Sequence, residues 1–278
     1  MLELFNYPFF INALAGLAII SIASAMIGTY IVTRRLVSIS GGVTHACFGG
    51  LGLGYYLGVN PVFMAAVFAI ASSMGVEFMA SRSKVREDSA IAVVWALGMA
   101  IGILFVFLTP GYVPELNSFL FGNVLTISRA DLLTFAVFAV ILGVFFMLFY
   151  KKIVICAFDR DFARVIHLPV RFISYSMTVL VAVCIVLTIR LVGVMLLMSM
   201  FALPQMISEL FCKRFGRLMA LSVAVSLACC IGGLLLGTVI DVPCSALIVL
   251  VMCSAYLVTA VGVAISRHIA DKRLAAAK

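Results

Sequence analysis

Long runs of apolar residues, separated by short polar stretches, make up most of this chain from Pro8 to near Arg267. A bilayer core is about 30 Å thick, so a helix that crosses it needs about 20 apolar residues. Runs of that length predict nine membrane-spanning helices, at residues 8–33, 37–58, 61–80, 89–109, 131–150, 172–189, 191–211, 218–239 and 244–266. The seventh run is the weakest, because Pro204 and Glu209 interrupt it, so the prediction is eight to nine spans.

Composition places the whole chain in the membrane. Apolar residues make up 65% of the sequence, charged residues 11%, and the mean hydropathy is +1.28, whereas soluble domains are about 25% charged. No polar stretch is long enough for a separate soluble domain, so residues 1–278 are predicted to form one all-α transmembrane domain. The first apolar run lacks a preceding basic segment and is too long for a signal peptide, so we expect it to be retained.

The nineteen Lys and Arg residues outnumber the eleven Asp and Glu residues and give a net charge of +8, but their positions indicate membrane topology rather than binding to nucleic acid. If the N-terminus is outside and nine spans alternate, only Arg129 and Arg190 fall outside, which leaves seventeen basic residues in the cytoplasm. Cytoplasmic loops of membrane proteins carry such an excess of Lys and Arg. The predicted topology therefore has an outer N-terminus and a cytoplasmic C-terminus.

One cytoplasmic loop, residues 151–171, has the pattern of a short amphipathic helix. Its apolar side chains recur at the spacing of one helix face, at Phe158, Phe162, Val165 and Ile166. Asp159 stands where it can cap the helix. From the pattern alone, this helix either lies on membrane lipid or docks a soluble partner.

The second span carries small residues at every fourth position. They are Gly42, Ala46, Gly50, Gly54 and Gly58. Such a stripe lets another helix approach closely, and it predicts a helix-packing role for these glycines. The same glycines weaken the helix by roughly 1 kcal/mol each relative to Ala.

His45 lies within this glycine-rich span, while His167 and His268 lie in predicted cytoplasmic segments. An ionisable side chain inside the membrane indicates a functional site. Neutral imidazole binds zinc, manganese or iron well, and the flanking Gly41 and Gly49 leave its ring accessible. The alternative is a neutral imidazole that only forms a hydrogen bond to a neighbouring helix.

Other polar candidates are weaker. The eight cysteines show no paired metal-binding motif, so we predict neither a metal cluster nor disulfides. Asp241 precedes Pro243 at a predicted outer end, where it either caps the last helix or attracts cations at the mouth of a path. Glu77 and Glu209 lie near cytoplasmic ends and are expected to reach headgroups or basic neighbours.

Several stretches together resemble the permeases of bacterial zinc, manganese and iron ABC importers. They are FLFGNVLTISRADL at 119–132, EDSAIAVVWALGMAIG at 87–102, AFDRDFARVIHLP at 157–169, VGVMLLMSMFALP at 192–204, and DVP followed by IVLV at 241–251. The likeness covers most of the chain, with the motifs in the family's order.

The resemblance implies a type II ABC importer-like fold in the bacterial cytoplasmic membrane. It implies a second permease subunit, in a homodimer or a pair of similar subunits, together with two cytoplasmic ATPase subunits and an extracytoplasmic metal-binding protein. The segment 157–169 becomes the coupling helix, with Phe158, Asp159, Arg160, Asp161 and Arg164 as residues that couple to the ATPase. The chain itself has no nucleotide-binding GxxxxGK[ST] motif and is not expected to be an enzyme. It is expected to bind no cofactor of its own, and the divalent metal is its transported substrate.

Gly41 is the main departure from the family pattern. The family usually has an Asp there, four residues before the His of the second span, and glycine supplies no carboxylate. Thr44 or Cys47 is then a possible helper to His45 in contacting the metal. His167 and Ser245 also stand where glycine is common in the family, as local variation.

Three rival functions follow from the same features. A permease for an iron chelate, such as a siderophore, haem or cobalamin, uses a related architecture and needs no metal-binding carboxylate. An intramembrane enzyme is disfavoured, because the sequence lacks HExxH, GxSxG and a pair of intramembrane acids. A secondary transporter is disfavoured by the scarcity of intramembrane carboxylates.

Overall fold

The computed structural model describes residues 7–82, 86–110, 122 and 124–276, and the regular structure within these ranges is helical. The helices are α1 (Pro8–Thr33), α2 (Val37–Leu57), α3 (Pro61–Arg82), α4 (Glu87–Leu108), α5 (Arg129–Phe158), α6 (Arg160–Val165), α7 (Val170–Phe211), α8 (Phe215–Ile240) and α9 (Cys244–Ala276), with a short 3₁₀ helix at Val124–Thr126. The predicted all-α class is confirmed. Residues 119–121 and 123 of the predicted outer-loop motif lie outside the described residues.

Seven of the described helices are long and apolar enough to cross a membrane, namely α1, α3, α4, α5, α7, α8 and α9. Helix α2 has 21 residues, but its glycines and polar side chains dilute its apolar character. Helix α7 has 42 residues and would be about 63 Å long if straight, twice what a bilayer core needs.

Helix α7 is broken at Gly193, whose backbone angles are φ 77° and ψ 171°. Only glycine adopts this region readily, because a Cβ would clash with the backbone. The halves on either side, residues 170–192 and 194–211, correspond to the predicted sixth and seventh spans. With α2 and both halves of α7, the described chain holds nine segments long enough to cross a membrane, in agreement with the predicted eight to nine.

Two helices extend well past the apolar runs that predicted them. Helix α5 continues to Phe158 instead of ending near residue 150, and α9 continues to Ala276 instead of ending near residue 266. The added turns carry Lys151, Lys152 and Arg267. Hydropathy indicates which residues lie within the lipid, whereas a helix can continue beyond the lipid for as long as its backbone hydrogen bonds are made.

Helices α1 and α7 form the centre of the bundle. In the most apolar window of each, 61% of α1 and 67% of α7 is buried, against 11% of α9. Both contribute to two hydrophobic clusters, one shared with α2 to α5 and the other shared with α8 and α9. The outer helices instead expose large apolar side chains such as Phe107, which is 86% exposed, as expected of surfaces that face lipid or another subunit.

Basic residues cluster at one end of the bundle, which we call the basic end. There the ends of α1, α5 and α7 and the start of α8 surround a cavity of about 880 Å³, with Arg34, Arg35, Arg160 and Lys213 in its wall. At the other end, Arg190 of α7 pairs with Asp131 near the start of α5, with 3.3 Å between Nη2 and Oδ1. The segregation of charge predicted from the sequence therefore exists in the folded chain.

Candidate functional site

Helix α2 lies between α3 and α4 and touches both through glycines. An added Cβ at Gly50 would lie 2.7 Å from the Cα of Ala65 on α3, and one at Gly54 would lie 2.8 Å from the Cα of Pro61. On the α4 side, a Cβ at Gly42 would run into the side chain of Ile91. The predicted packing residues Gly42, Gly50 and Gly54 thus lie where the structure brings helices together.

Gly58 does not pack against another helix within the described chain, which corrects its place in the predicted stripe. It ends α2 with a positive φ of 67°, and an added Cβ would meet nothing within 4 Å. Its N–H donates to the carbonyl of Tyr55 at 3.2 Å, and the next N–H, of Val59, donates to the carbonyl of Gly54 at 3.0 Å. Gly58 is therefore the left-handed cap of α2, a position that favours glycine for its backbone freedom.

Two glycines on α4 that were not predicted from the sequence, Gly98 and Gly102, face those of α2. A Cβ at Gly49 would lie 2.8 Å from the carbonyl oxygen of Gly98, and one at Gly52 would lie 3.0 Å from the Cα of Gly102. Gly98 and Gly102 are four residues apart, the small-xxx-small spacing that was recognised on α2 alone. The backbones of α2 and α4 are therefore in direct contact at these glycines. Such close packing restricts movement of one helix relative to the other.

His45 is half-buried on the α4 side of α2. Its ring stacks on Trp95 of α4, with ring centroids 4.5 Å apart and planes 10° from parallel. One turn away, a Cβ at Gly41 would lie 3.0 Å from the terminal methyl of Met198 on α7 and 3.7 Å from the Trp95 ring. The surroundings of His45 are thus an indole ring, a thioether and bare glycine backbone, and no group of three His, Cys, Asp or Glu side chains converges within the described residues.

Thr44 and Cys47, the possible helpers, do not converge on the imidazole. Both are fully buried, and Cys47 belongs to the hydrophobic cluster that α1 and α7 share with α2 to α5. Successive residues on an α-helix are 100° apart, so Thr44 and Cys47 share a face that His45 does not. The Thr44 hydroxyl also has no hydrogen-bond partner among the described residues.

The segment 157–169 contains the short helix α6, and Asp159 caps it as predicted. One carboxylate oxygen of Asp159 accepts the N–H groups of Asp161 and Phe162, each at 2.9 Å. Only Ala163 is buried within α6, whereas the apolar residues of the predicted face are exposed, namely Phe158, Phe162, Val165 and Ile166. The capped helix therefore presents an open apolar face at the basic end.

Two further predicted coupling residues lie on the exposed surface of α6. The guanidinium of Arg164 donates to Asp161 at 2.8 Å, and both side chains are exposed. Such a surface pair adds little stability. It leaves both charges available to a partner.

Arg160 differs from the other coupling residues because it points into the bundle. Its Nη1 donates to Glu87 at the start of α4 at 2.8 Å, and its Nη2 donates to Glu77 of α3 at 3.0 Å. Arg34, just after α1, donates to the same Glu87 oxygen at 2.8 Å. The expected basic neighbours of Glu77 are therefore Arg160 and Arg34, which the sequence alone does not identify.

Asp241 ends α8 at a solvent-exposed position with a positive φ of 58°. Its backbone N–H donates to the carbonyl of Gly237 and closes the helix. The structure places Asp241 away from the basic end, at the junction of α8 and α9. Its predicted role at the mouth of a path stays a prediction.

Comparison with known families adds to this geometry. The family model described as the ABC 3 transport family matches residues 6–262, most of the chain. The chain belongs to this family.

Three similar proteins each align with most of this chain. An uncharacterized membrane protein of Synechocystis sp. is 34% identical over 93% of this chain and 92% of its own. A Chlamydia pneumoniae protein named "Probable metal transport system membrane protein" is 34% identical over 88% of this chain and 84% of its own. The Listeria monocytogenes manganese transport system membrane protein MntC is 28% identical over 89% of this chain and 88% of its own.

The fold matches a solved member of the same architecture. The structure of PsaBC from Streptococcus pneumoniae in complex with Fab superposes with a TM-score of 0.80, at 24% identity, over 93% of this chain and 95% of that one. This likeness confirms the type II ABC importer fold. The chain is thus a multi-pass membrane subunit of an ABC transport system, not its catalytic subunit, and ABC 3 membership implies a complex with an ATPase and a binding protein.

Proposed function

We propose that this chain is the permease through which an ABC importer passes a divalent metal ion past His45 into the cytoplasm. Manganese is the first candidate, because the Listeria relative is named for manganese transport and the Chlamydia relative for metal transport. Zinc and iron are the other candidates, since neutral imidazole binds all three.

The observation that carries the proposal is the half-buried His45, held against Trp95 beside a bare Gly41. Stacking on the indole fixes the ring plane, since aromatic pairs at this distance attract each other by about 0.5–1.5 kcal/mol. Gly41 supplies no carboxylate beside the ring, and no group of three His, Cys, Asp or Glu side chains that could hold an ion is found within the described residues. A single nitrogen ligand holds an ion weakly, which suits a path that must also release it.

A second copy of the chain would complete the path. His45 is only half-buried and Trp95 is exposed in the single chain, so one copy leaves its ion open on one side. An ion inside a bilayer needs polar or protein walls all around it. We propose a homodimer in which the two His45 faces enclose the path, with lipid around the outer helices.

The basic end would face the cytoplasm, in the orientation that the positive-inside rule predicts. The exposed apolar face of α6, with Asp161 and Arg164 beside it, would then dock the ATPase. The cavity beside α6 supports this, because its mixed charges include Asp159, Glu209 and Lys213. An extracytoplasmic binding protein would deliver the ion at the opposite end, where Asp241 is a candidate to attract cations.

Uptake by the assembled complex tests the role of His45. Cells or liposomes that contain the permease, its ATPase and its binding protein are given radioactive manganese, zinc or iron(II). We expect His45→Ala to abolish or strongly reduce uptake without lowering membrane expression. His268→Ala, an exposed histidine on α9, is the matched control and should transport normally. Unchanged uptake in His45→Ala would remove this residue from the path and favour an iron-chelate importer.

Fluorescence gives a second readout that does not need transport. Trp95 is the only tryptophan in the sequence, and its ring lies 4.5 Å from the His45 ring. Paramagnetic Mn²⁺ bound at His45 should quench Trp95 emission in the purified permease without its partner subunits, whereas Ca²⁺ should not. The same Mn²⁺ titration in His45→Ala should lose this quenching.

A further inference from the structure

Arg160 lies on the helix proposed to dock the ATPase, yet its charge is engaged inside the bundle. Besides its bond to Glu87, its Nη2 donates to both oxygens of Glu77, at 3.0 and 3.1 Å, and to the hydroxyl of Ser174 on α7 at 3.1 Å. One guanidinium therefore connects α6 to α3, α4 and α7. Its planar fork of donors suits this bridging, which a lysine ammonium could not reproduce.

Arg34 completes a compact cluster of two positive and two negative side chains. It bonds Glu87 and the hydroxyl of Tyr30, and its Nη1 lies 3.9 Å from Glu77. The Arg34 side chain is 6% exposed and that of Glu77 is 9% exposed. Burial lowers the pKa of Arg34, but interactions with Tyr30, Glu87 and Glu77 outweigh it and raise the pKa overall.

Such a buried cluster is a poor way to add stability, because desolvation offsets most of the attraction between the charges. The cluster instead constrains the relative positions of the helices, because each charged side chain must stay within reach of its partners. The cluster sits where the last turns of α3 and the first residue of α4 meet the end of α5. It therefore fixes the position of α6 relative to α3 and α4.

The helices α3 and α4 in turn hold α2 from two sides through backbone contacts. Gly50 meets the backbone of Met64 and Ala65 on α3, and Gly49 meets Gly98 on α4. Tightly packed backbones transmit displacement because they have no flexible side chain to absorb it. His45 lies on α2 about one turn before these contacts, stacked on Trp95 of α4.

We propose that Arg160 is a positioning residue for transport, which links movement of the coupling helix α6 through Glu77 and Glu87 to the α3–α2–α4 unit that carries His45. The inference rests on the proposed function. It goes beyond it by assigning Arg160 to transmission within the permease rather than to contact with the ATPase.

The test compares Arg160→Met with Arg171→Met in the complete complex with ATPase and binding protein. Arg171 lies at the start of α7, is exposed, and makes no ion pair with a described residue. Three quantities are measured: co-purification of the ATPase, its rate of ATP hydrolysis, and the number of radioactive manganese, zinc or iron(II) ions imported per ATP. We expect Arg160→Met to retain ATPase binding and hydrolysis while ions per ATP fall by about five-fold or more, and Arg171→Met to match the wild type.

A double-mutant cycle identifies the partner. Glu77→Gln should lower ions per ATP as Arg160→Met does, and the double variant should lose little beyond the more severe single variant. Arg160→Lys, which keeps the charge but not the fork, should fall between Arg160→Met and the wild type.

The outcomes separate this inference from the proposed function. If the wild-type complex imports none of the three ions, the proposed function fails. If the wild type imports an ion but Arg160→Met has normal ions per ATP, the inference fails and the proposed function stands. Loss of ATPase co-purification in Arg160→Met would also overturn it, because Arg160 would then act in docking or assembly.

Discussion

Replacing Gly50 by alanine tests whether the contact between α2 and α3 is as close as the structure has it. The added Cβ would lie 2.7 Å from the Cα of Ala65 and 2.8 Å from the carbonyl carbon of Met64. Carbon atoms in contact prefer about 3.5–4.0 Å, and both obstacles are backbone atoms that cannot rotate away. The helices must therefore separate, at a cost of about 1–3 kcal/mol for overpacking.

The opposing term is helix propensity, because alanine favours a helix over glycine by about 1 kcal/mol. Gly75→Ala on α3 carries the same gain without the clash, since a Cβ added there would meet nothing within 4 Å. The difference between the two variants therefore isolates the steric cost, about 1–3 kcal/mol. Gly143, on α5, has equally open surroundings and is a second control.

The measurement is unfolding of the purified permease in mild detergent with increasing sodium dodecyl sulfate, followed by circular dichroism. Gly50→Ala should unfold at a lower dodecyl sulfate fraction than Gly75→Ala and Gly143→Ala. Gly50→Leu and Gly54→Leu add more volume at the same contacts and should lower the yield of assembled complex. Equal midpoints for Gly50→Ala and Gly75→Ala would refute the close contact, and normal assembly of both leucine variants would show that these glycines face open space or lipid.

Three further changes probe other parts of the chain. Gly41→Asp should place a carboxylate one turn from His45, tighten Mn²⁺ binding in a Trp fluorescence titration and slow uptake of radioactive manganese; unchanged binding would show that the two positions do not share an ion. Gly193→Ala should destabilise the chain by about 1–3 kcal/mol in the dodecyl sulfate assay, because its backbone angles exclude a Cβ, and Gly262→Ala, with open surroundings, should not. Arg164→Glu should lower ions imported per ATP while the spans remain inserted; normal import in this variant would argue against ATPase docking at α6.

A related variant separates charge from helix capping at Asp159. Because its carboxylate caps α6, reversing its charge also removes the cap, which costs about 0.5–2 kcal/mol. Asp159→Asn keeps a capping oxygen and removes only the charge, so it is the cleaner partner to Arg164→Glu in transport assays.

The spans were predictable because lipid imposes a local requirement on composition. About 20 apolar residues in a row signal a crossing whatever the neighbouring helices do, and each predicted span has a helical segment in the structure. The ends were less predictable, since α5 continues through Lys151 and Lys152 to Phe158. The break in α7 lies at Gly193, three residues beyond the gap that the sequence predicts at Arg190, because a charged residue indicates polarity and not backbone geometry.

The side-chain partners were not predictable from local pattern. Arg160 and Glu77 are 83 residues apart, and nothing in either neighbourhood of the sequence indicates that they meet. The stacking of Trp95 on His45 is equally hidden from local pattern, because the two rings come from different helices. The contact made by Gly98 and Gly102, in contrast, was predictable, because these residues have the same small-xxx-small spacing that was recognised on α2.

The glycines and polar residues that make helix α2 a weak membrane-spanning candidate are also the residues on which the proposed ion path depends. Its glycines and polar residues keep it out of the set of helices apolar enough to cross a membrane. Those same glycines let α3 and α4 reach its backbone, which ties its position to the ion-paired ends of both helices. A more apolar α2, with larger side chains, would insert more readily but would hold α3 and α4 further away and cover the imidazole of His45. The low hydropathy of this segment is therefore better explained by its contacts than by exposure to water.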